Sequence, residues 1–257
     1  MLPVERHRRL SAAVRRAGTI STEQLAAELC VSAETVRRDL AQLETRGLLS
    51  RVRGGATTSA ALSGPGGEEP PFAERSVLRQ AAKVAIGRAA AALVRDGMTV
   101  ALDIGTTAVE TARAFPAGFR GVVATPSLLV AAELSTRPDV QVLVPGGRVR
   151  PGDLACSGVP TVAFFADLHP DIAFLGSGGV DADAGLTDFY FDEVAAKRAV
   201  LARCTSSYVL ADASKQGRIA PHRVCGLDEF AGLITDEASD DALTAAIERC
   251  GGTVIAA

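Results

Sequence analysis

MTVALDIGTTAVETARAF, residues 98–115, carries a short apolar strand directly into a helix, with polar residues collected at the join. The pattern recurs along the chain. GVVAT (121–125) leads into PSLLVAAEL (126–134), and VQVLV (140–144) leads into PGGRV (145–149). IAFLGSGG (172–179) precedes a helix from about Asp192 to Arg203, and SYVLAD (207–212) ends at ASK (213–215). Strands that alternate with helices predict βαβ units and a mainly parallel sheet covered on both faces. A long helix from Phe72 to Arg95, with Val84, Ala85, Ala89, Ala92 and Leu93 on one face, is predicted to open this domain. The fold class is therefore α/β.

In such a sheet, ligands bind outside the carboxyl ends of the strands. The polar residues gather there: Asp103, Gly105, Thr106 and Thr107; Thr125 and Ser127; Gly147 and Arg148; Asp181; Asp212 and Lys215. Gly105 to Thr107 sit where a strand enters a helix, so backbone N–H groups, hydroxyls and the helix dipole can hold a phosphate. Arg148 and Lys215 can add positive charge, and Asp103, Asp181 and Asp212 can accept hydrogen bonds from sugar hydroxyls. A lone GTT after a strand is more often a helix start, and a lone DxSK a turn. Five such clusters at successive strand ends point to a binding site.

Ahead of this domain runs TSAALSGPGGEEPP (58–71), small, Gly- and Pro-rich and without hydrophobic period, which reads as a linker. The predicted layout is a small domain over 1–58, a linker over 59–71 and a larger domain over 72–257. Net charge is −3 for the whole chain, but residues 1–60 carry +4 and residues 61–257 carry −7. A basic small module beside an acidic larger one is the distribution of a chain whose first part meets phosphate. Arginine outnumbers lysine 24 to 3, which suggests a GC-rich bacterial genome. No apolar run reaches the roughly eighteen residues that span a bilayer, and MLPVERHRRL lacks the apolar segment of a signal peptide. No membrane association and a cytoplasmic location are expected. Cys30, Cys156, Cys204, Cys225 and Cys250 are scattered, odd in number and without CxxC spacing, which predicts reduced, mostly buried thiols and neither a zinc site nor a disulfide framework; no metal and no cofactor are expected.

In the small module, Val4 to Arg16 reads as a first helix ended by Gly18. Ser21 with Gln24 fits a capping box opening a second helix, and Ser32 caps a third from Ala33 to about Arg46. After Gly47, LLSRVRGGA (48–56) alternates apolar and basic residues before a Gly pair, as a hairpin wing would. On the third helix Val36, Leu40 and Leu43 form the inward face. Glu34, Arg38 and Thr45 lie opposite, flanked by Thr35 and Gln42, with Arg37 on one shoulder. In a major groove Arg38 can reach base edges, where bidentate pairing to guanine is the commonest specific contact. Arg37, with Arg51 and Arg53 on the wing, would meet the phosphate backbone. The DNA-facing set is Ser21, Ser32, Glu34, Thr35, Arg37, Arg38, Gln42, Arg51 and Arg53. Solvated surface arginines are the bland alternative for a lone RR pair; caps, turn, wing and charge asymmetry together favour double-stranded DNA.

The strings ERHRRL and GTISTEQLAAELCVSAETVRRDLAQLETRGLLSRVRGGA closely resemble the winged helix-turn-helix of the DeoR family of bacterial transcriptional regulators. LDIGTT, VPGGRVR, FLGSGGVDADAGLT, DEVAAKRAV and LADASKQGR resemble, in order, that family's C-terminal effector domain. The resemblance implies an effector domain similar to ribose-5-phosphate isomerase within the sugar-phosphate isomerase and CoA-transferase folds. It implies a phosphate-side loop of Asp103, Gly105, Thr106 and Thr107, with Asp181, Glu193 and Lys215 facing a sugar. A regulator, usually a repressor in this family, released from operator DNA by a phosphorylated sugar is the function implied. Dimers or tetramers on repeated half-sites are expected, because one winged helix contacts few base pairs.

Two departures from the pattern stand out. Family members often carry Thr-Asn-Ser where this chain has Thr125-Pro126-Ser127; proline suits a first helical turn but removes an amide side chain from the pocket. The isomerase carries a lysine after the aspartate matching Asp181, and VDADAGLTD has none. Proton shuttling on a sugar phosphate needs a base and electrophilic help for the enediolate, so the absent lysine weighs against the rival reading, an isomerase with a DNA-binding appendage.

Overall fold

The computed structural model describes residues 6–7, 9–11, 13–14, 19–29, 31–45, 49–52, 54–57, 69–236 and 241–257. The chain divides into two compact units, Met1–Glu68 and Glu69–Ala257. The second begins at Glu69, so Glu69 to Pro71 fold with the larger domain although their composition reads as linker.

In the first unit, residues 6–7, 9–11 and 13–14 are helical. There follow β1 (Thr19–Ser21), α1 (Thr22–Leu29), α2 (Ala33–Thr45), β2 (Ser50–Val52) and β3 (Gly55–Thr57). The wing is an antiparallel β2–β3 pair, and β1 adds to it in the order β1-β3-β2. β1 goes beyond the sequence reading, in which three residues are too few to show a strand period. Leu10, Ala13, Val14, Leu25, Leu29, Val36, Leu40, Leu43, Leu49 and Ala56 form the core. Ser21 and Gln24 make the reciprocal capping box, each side chain accepting the other's backbone N–H at 3.1 Å.

The second unit opens with α3 (Phe72–Val77) and α4 (Gln80–Ala91). The single helix predicted from Phe72 to Arg95 is thus broken, and it ends earlier. Arg79 adopts the left-handed conformation at φ +50°, while Leu78 is extended. The break is compensated by polar contacts: Lys83 Nζ donates to the carbonyls of Arg75 and of Leu78, the latter at 2.7 Å. Arg79 reaches Asp236 at 2.6 Å. Helical periodicity continues through the break, so the sequence carries no sign of it.

The remaining elements are β4 (Thr99–Leu102), α5 (Thr106–Ala114), β5 (Gly121–Ala124), α6 (Leu128–Leu134), β6 (Val140–Leu143), β7 (Arg148–Arg150), β8 (Ala155–Ser157), α7 (Val159–Asp167) and β9 (Ile172–Gly176). Then come β10 (Gly179–Asp181), β11 (Gly185–Asp188), α8 (Phe191–Leu201), β12 (Ser206–Leu210), β13 (His222–Cys225), β14 (Gly232–Thr235), α9 (Asp241–Arg249) and β15 (Thr253–Ala256). Seven strands form a parallel sheet in the order β15-β14-β12-β9-β4-β5-β6. Along β4, Val100 and Leu102 enter one core and Ala101 the other, so both faces are covered. Two antiparallel additions were not foreseen: the hairpin β7–β8, formed where VQVLV meets PGGRVR, and a three-stranded sheet β10-β11-β13.

Sheet order fixes where a ligand can enter. From β4 the chain first builds outward through β5 and β6, then returns to lay β9, β12, β14 and β15 on the other side. The reversal puts the topological switch point, where open α/β sheets bind ligands, at the carboxyl ends of β4 and β9.

Candidate functional site

The first unit presents α2 as a helix with a buried and an exposed side. Ser32 Oγ accepts the backbone N–H of Thr35 at 3.1 Å and closes the helix start. Val36, Leu40 and Leu43 are buried, while Ser32, Glu34, Arg37, Arg38 and Gln42 are exposed and Thr35 is half-buried. Arg37 Nη1 pairs with Glu34 at 2.9 Å. Arg38 makes no side-chain pair among the described residues, which leaves its guanidinium donors available. Asp39, next in VRRDL, turns inward: Arg6 Nη2 donates to it at 3.1 Å and His7 Nε2 lies at 3.1 Å. Burial works to raise the Asp39 carboxyl, but Arg6 and His7 outweigh it and hold it below the usual range. Arg51 lies on β2, and Arg53 lies outside the described residues.

In the second unit, Gly105 stands at the switch point with φ +105° and precedes α5. That conformation favours glycine. No side chain caps this helix end, so its first N–H groups, at Thr106 and Thr107, have no intrahelical acceptor and stay available to an anion. A Cβ on Gly105 would lie 3.9 Å from Arg75 Nη1, so the guanidinium of α3 stands beside this turn. Arg75 in turn pairs with Glu69 Oε1 at 3.0 Å and Asp153 at 3.7 Å.

Asp153 also receives Arg150, whose Nε donates to it at 3.0 Å. The Arg150 guanidinium lies 3.6 Å from the centre of the Tyr190 ring and pairs with buried Glu193. Burial and the charge of Asp188 push the Glu193 carboxyl well above the usual range. Lys197, only 2% exposed, pairs with Asp103, with Asp188 at 2.9 Å and with the Gly176 carbonyl at 2.7 Å. Burial opposes its charge, yet Asp103, Asp188 and Glu193 overcome that and hold the ammonium protonated.

Two cations in this region are less committed. Lys215 ends the 3-10 turn Ala213–Lys215, and its ammonium has no hydrogen bond or ion pair among the described residues. Burial and the neighbouring charge of Arg218 lower its pKa. Arg218 is 7% exposed, its guanidinium 4.9 Å from the Phe189 ring centre, and its Nε has no hydrogen-bond partner among the described residues. A buried donor left unsatisfied costs stability, which an anionic ligand can recover.

Residues 78–237 match the DeoR C terminal sensor domain, and residues 6–60 match the DeoR-like helix-turn-helix domain. The chain belongs to the DeoR family. A Haloferax volcanii relative, HTH-type transcriptional regulator GlpR, is 33% identical over 255 residues, covering 99% of this chain and 98% of its own. The glycerol-3-phosphate regulon repressor of Escherichia coli is 30% identical over 236 residues, or 92% of each chain. These DeoR-family relatives are named as regulators, not enzymes, and this chain is likewise a DNA-binding transcriptional regulator. Ribose 5-phosphate isomerase A of Methanocaldococcus jannaschii shares 18% identity over 52% of this chain and 53% of its own, with a TM-score of 0.39. A likeness that weak carries no argument about function.

Within this DeoR-family chain, the residues chosen at the strand ends divide into two groups. Gly105, Thr106, Thr107 and Lys215 remain available to a ligand. The others are already engaged. Asp103 accepts the Gly176 N–H at 2.8 Å as well as Lys197, tying the ends of β4 and β9 together. Thr125 Oγ1 accepts from Ser127 N at 3.1 Å and closes the turn into α6, and Ser127 Oγ accepts from Val130 N at 3.2 Å and caps that helix. Pro126 therefore precedes that helix and does not stand in its first turn. Gly147 at φ +133° permits a close approach to Ser157, where a Cβ would lie 2.4 Å from the Ser157 carbonyl oxygen. Arg148 is 76% exposed and pairs with Asp192 at 2.7 Å, apart from the buried network; Arg150 supplies the inward guanidinium. Asp181 accepts the N–H groups of Asp183 and Ala184 at 2.9 Å, closing the β10–β11 turn. Asp212 accepts from Ser214 N at 2.9 Å and pairs with Arg79 at 3.4 Å.

Glu69, Arg75, Arg150, Asp153, Asp188, Lys197 and Arg218 were not singled out from the sequence. One signal was present: Lys83, Lys197 and Lys215 are the only lysines in a chain that otherwise uses arginine. Lys83 and Lys197 are buried at polar junctions, and Lys215 ends the turn after β12, where Arg218, Glu69, Asp212 and Arg75 act on its charge.

Proposed function

We propose that the effector domain binds a phosphorylated sugar or polyol at the carboxyl ends of β4 and β9, and that binding releases the protein from operator DNA as a repressor. The observation that carries this reading is the combination at the switch point: the uncapped start of α5 at Gly105, with Lys215 unpaired and Arg218 Nε unsatisfied. Backbone N–H groups and guanidinium or ammonium donors are the usual partners of phosphate oxygens. The name of the Escherichia coli relative, a glycerol-3-phosphate regulon repressor, supports a small phosphate ester as the class. Such a repressor works in the cytoplasm, where its operator is; among the described residues no helix is long and apolar enough to cross a membrane.

A homo-oligomer, dimer or tetramer, fits the same reading. Val159 at 82% and Phe191 at 69% exposure are large apolar side chains on the effector domain that a second copy can cover. The test is a thermal-shift screen of sugar and polyol phosphates on the full chain, followed by operator binding with each hit. A phosphate ester should raise the melting temperature and weaken operator binding, and the unphosphorylated parent should do neither. Lys215→Ala should keep operator affinity and lose the response. No stabilisation by any phosphate ester, or a wild-type response in Lys215→Ala, refutes the site.

A further inference from the structure

Glu69 is the buried ionisable group for which a phosphate site has no use. It is the first residue of the effector unit, directly after the segment that leads from the DNA-binding unit. Its surroundings in sequence, GGEEPP, are those of a linker, and a linker glutamate is expected in water. Its side chain is only 8% exposed. Oε1 lies 3.0 Å from Nη1 of Arg75, and that same Nη1 stands beside the Gly105 turn. Lys215, Arg150 and Arg218 are the other cations that act on the Glu69 charge, and Asp188 is the anion acting against it.

The segment is built to hold this carboxylate inward. Pro70 and Pro71 follow immediately with restricted backbones, and the Pro70 carbonyl accepts Arg75 Nε at 2.9 Å. Even so the placement is unfavourable for a carboxylate: burial pushes the Glu69 carboxyl above its ordinary value, more than Arg75 and Lys215 pull it down.

We propose that Glu69 is an internal stand-in for the effector's phosphate: in the ligand-free protein its carboxylate holds the Arg75 guanidinium that stands beside Gly105, and a phosphate ester binds by taking that guanidinium from it. This rests on the phosphate-site reading above and adds how the site is regulated. A phosphate group offers more charge and three acceptor oxygens to the same donors, so it outcompetes a carboxylate that engages Arg75 through one oxygen. Displacement frees the point at which the connecting segment is tethered to the effector unit. The pocket is thereby coupled to the linker by direct exchange of one anion for another, and the parallel sheet need not deform.

The experiment is calorimetric titration of inorganic phosphate into the full chain, wild type against Glu69→Gln, with amide hydrogen exchange followed at residues 69–76 and 104–110. Glu69→Gln should bind phosphate roughly tenfold more tightly, the factor expected when an internal occupant holds the site about nine-tenths of the time. In the wild type, phosphate should slow exchange at Thr106 and Thr107 and speed it across residues 69–76. In Glu69→Gln it should slow the first region and leave the second unchanged. Equal affinity in the two proteins, with protection at Thr106 and Thr107 but no change at 69–76, overturns the role of Glu69 and leaves the phosphate site standing. Phosphate that binds neither protein, or binds without protecting Thr106 and Thr107, overturns the site and this proposal with it.

Discussion

Lys197, on α8, holds Asp103, at the end of β4, from 94 residues away in sequence. The same ammonium donates to the Gly176 carbonyl at 2.7 Å while Asp103 accepts the Gly176 N–H at 2.8 Å, so one buried ion pair clasps both strands that frame the switch point. Removing the cation would leave Asp103 and Asp188 buried together. Lys197→Met should therefore destabilise the effector unit by about 3–5 kcal/mol, read from the midpoint of urea denaturation. A loss below about 1 kcal/mol, the range of an exposed pair, would show that the clasp does not hold the strands.

Gly105→Ala tests the turn itself. The new methyl has room, its nearest neighbour being Arg75 Nη1 at 3.9 Å, so the cost comes from backbone strain at φ +105°. A loss of about 1–3 kcal/mol in chemical denaturation is expected, together with weaker phosphate binding. Unchanged stability would mean the loop adopts another conformation when a side chain is present.

On α2, the two adjacent arginines should separate by phenotype. Arg38→Ala should cost about 1–3 kcal/mol on operator DNA and relax preference at one or two base positions. Arg37→Ala should weaken specific and random DNA alike and reduce the salt slope by about one. Competition binding across a salt series distinguishes them, and identical profiles for the two variants would refute the assignment.

Lys83 gives a pH dependence of known sign. Burial lowers its pKa from 10.5 to about 8 in the folded chain. Between those values the unfolded state binds the proton and the folded state does not, so stability rises with pH across that window, and below about 8 the cost of the buried charge is fully present. Relative to Lys83→Met, the wild type should gain stability from pH 8 to 10.5, as measured by urea midpoints at each pH. A parallel dependence in both proteins would exclude Lys83 as the source.

The alternation of strand and helix, the winged helix and the position of the Gly105 turn were all legible in the sequence, because each rests on local pattern. The charge network was not, because its pairs join distant segments. Arg148 and Arg150 stand two apart on one short strand and look alike; Asp153, three residues on, and Tyr190, brought in by tertiary structure, draw only Arg150 inward. Lys197 sits in DEVAAKRAV, which by composition reads as a solvated helical face, and only the carboxylates at the strand ends explain its burial. Polar residues at strand ends signal a site, but sequence alone does not separate those that bind from those that cap turns, as Thr125, Ser127 and Asp181 do.

The break between α3 and α4 has a mechanical consequence. None of the six residues of α3 is fully buried, and the helix is fastened chiefly by charge-assisted contacts through Arg75 and Lys83. A short helix held in this way, with Phe72 as its aromatic contact to the main core, can detach at the cost of that one contact, so it belongs to the low end of the opening free energies in its domain. Its ion pair is largely buried, with Arg75 15% and Glu69 8% exposed, so salt screens it little. The concentration of effector needed for a half-maximal response should therefore stay nearly constant as the salt content of the medium changes, as long as the ligand's own contacts are unchanged.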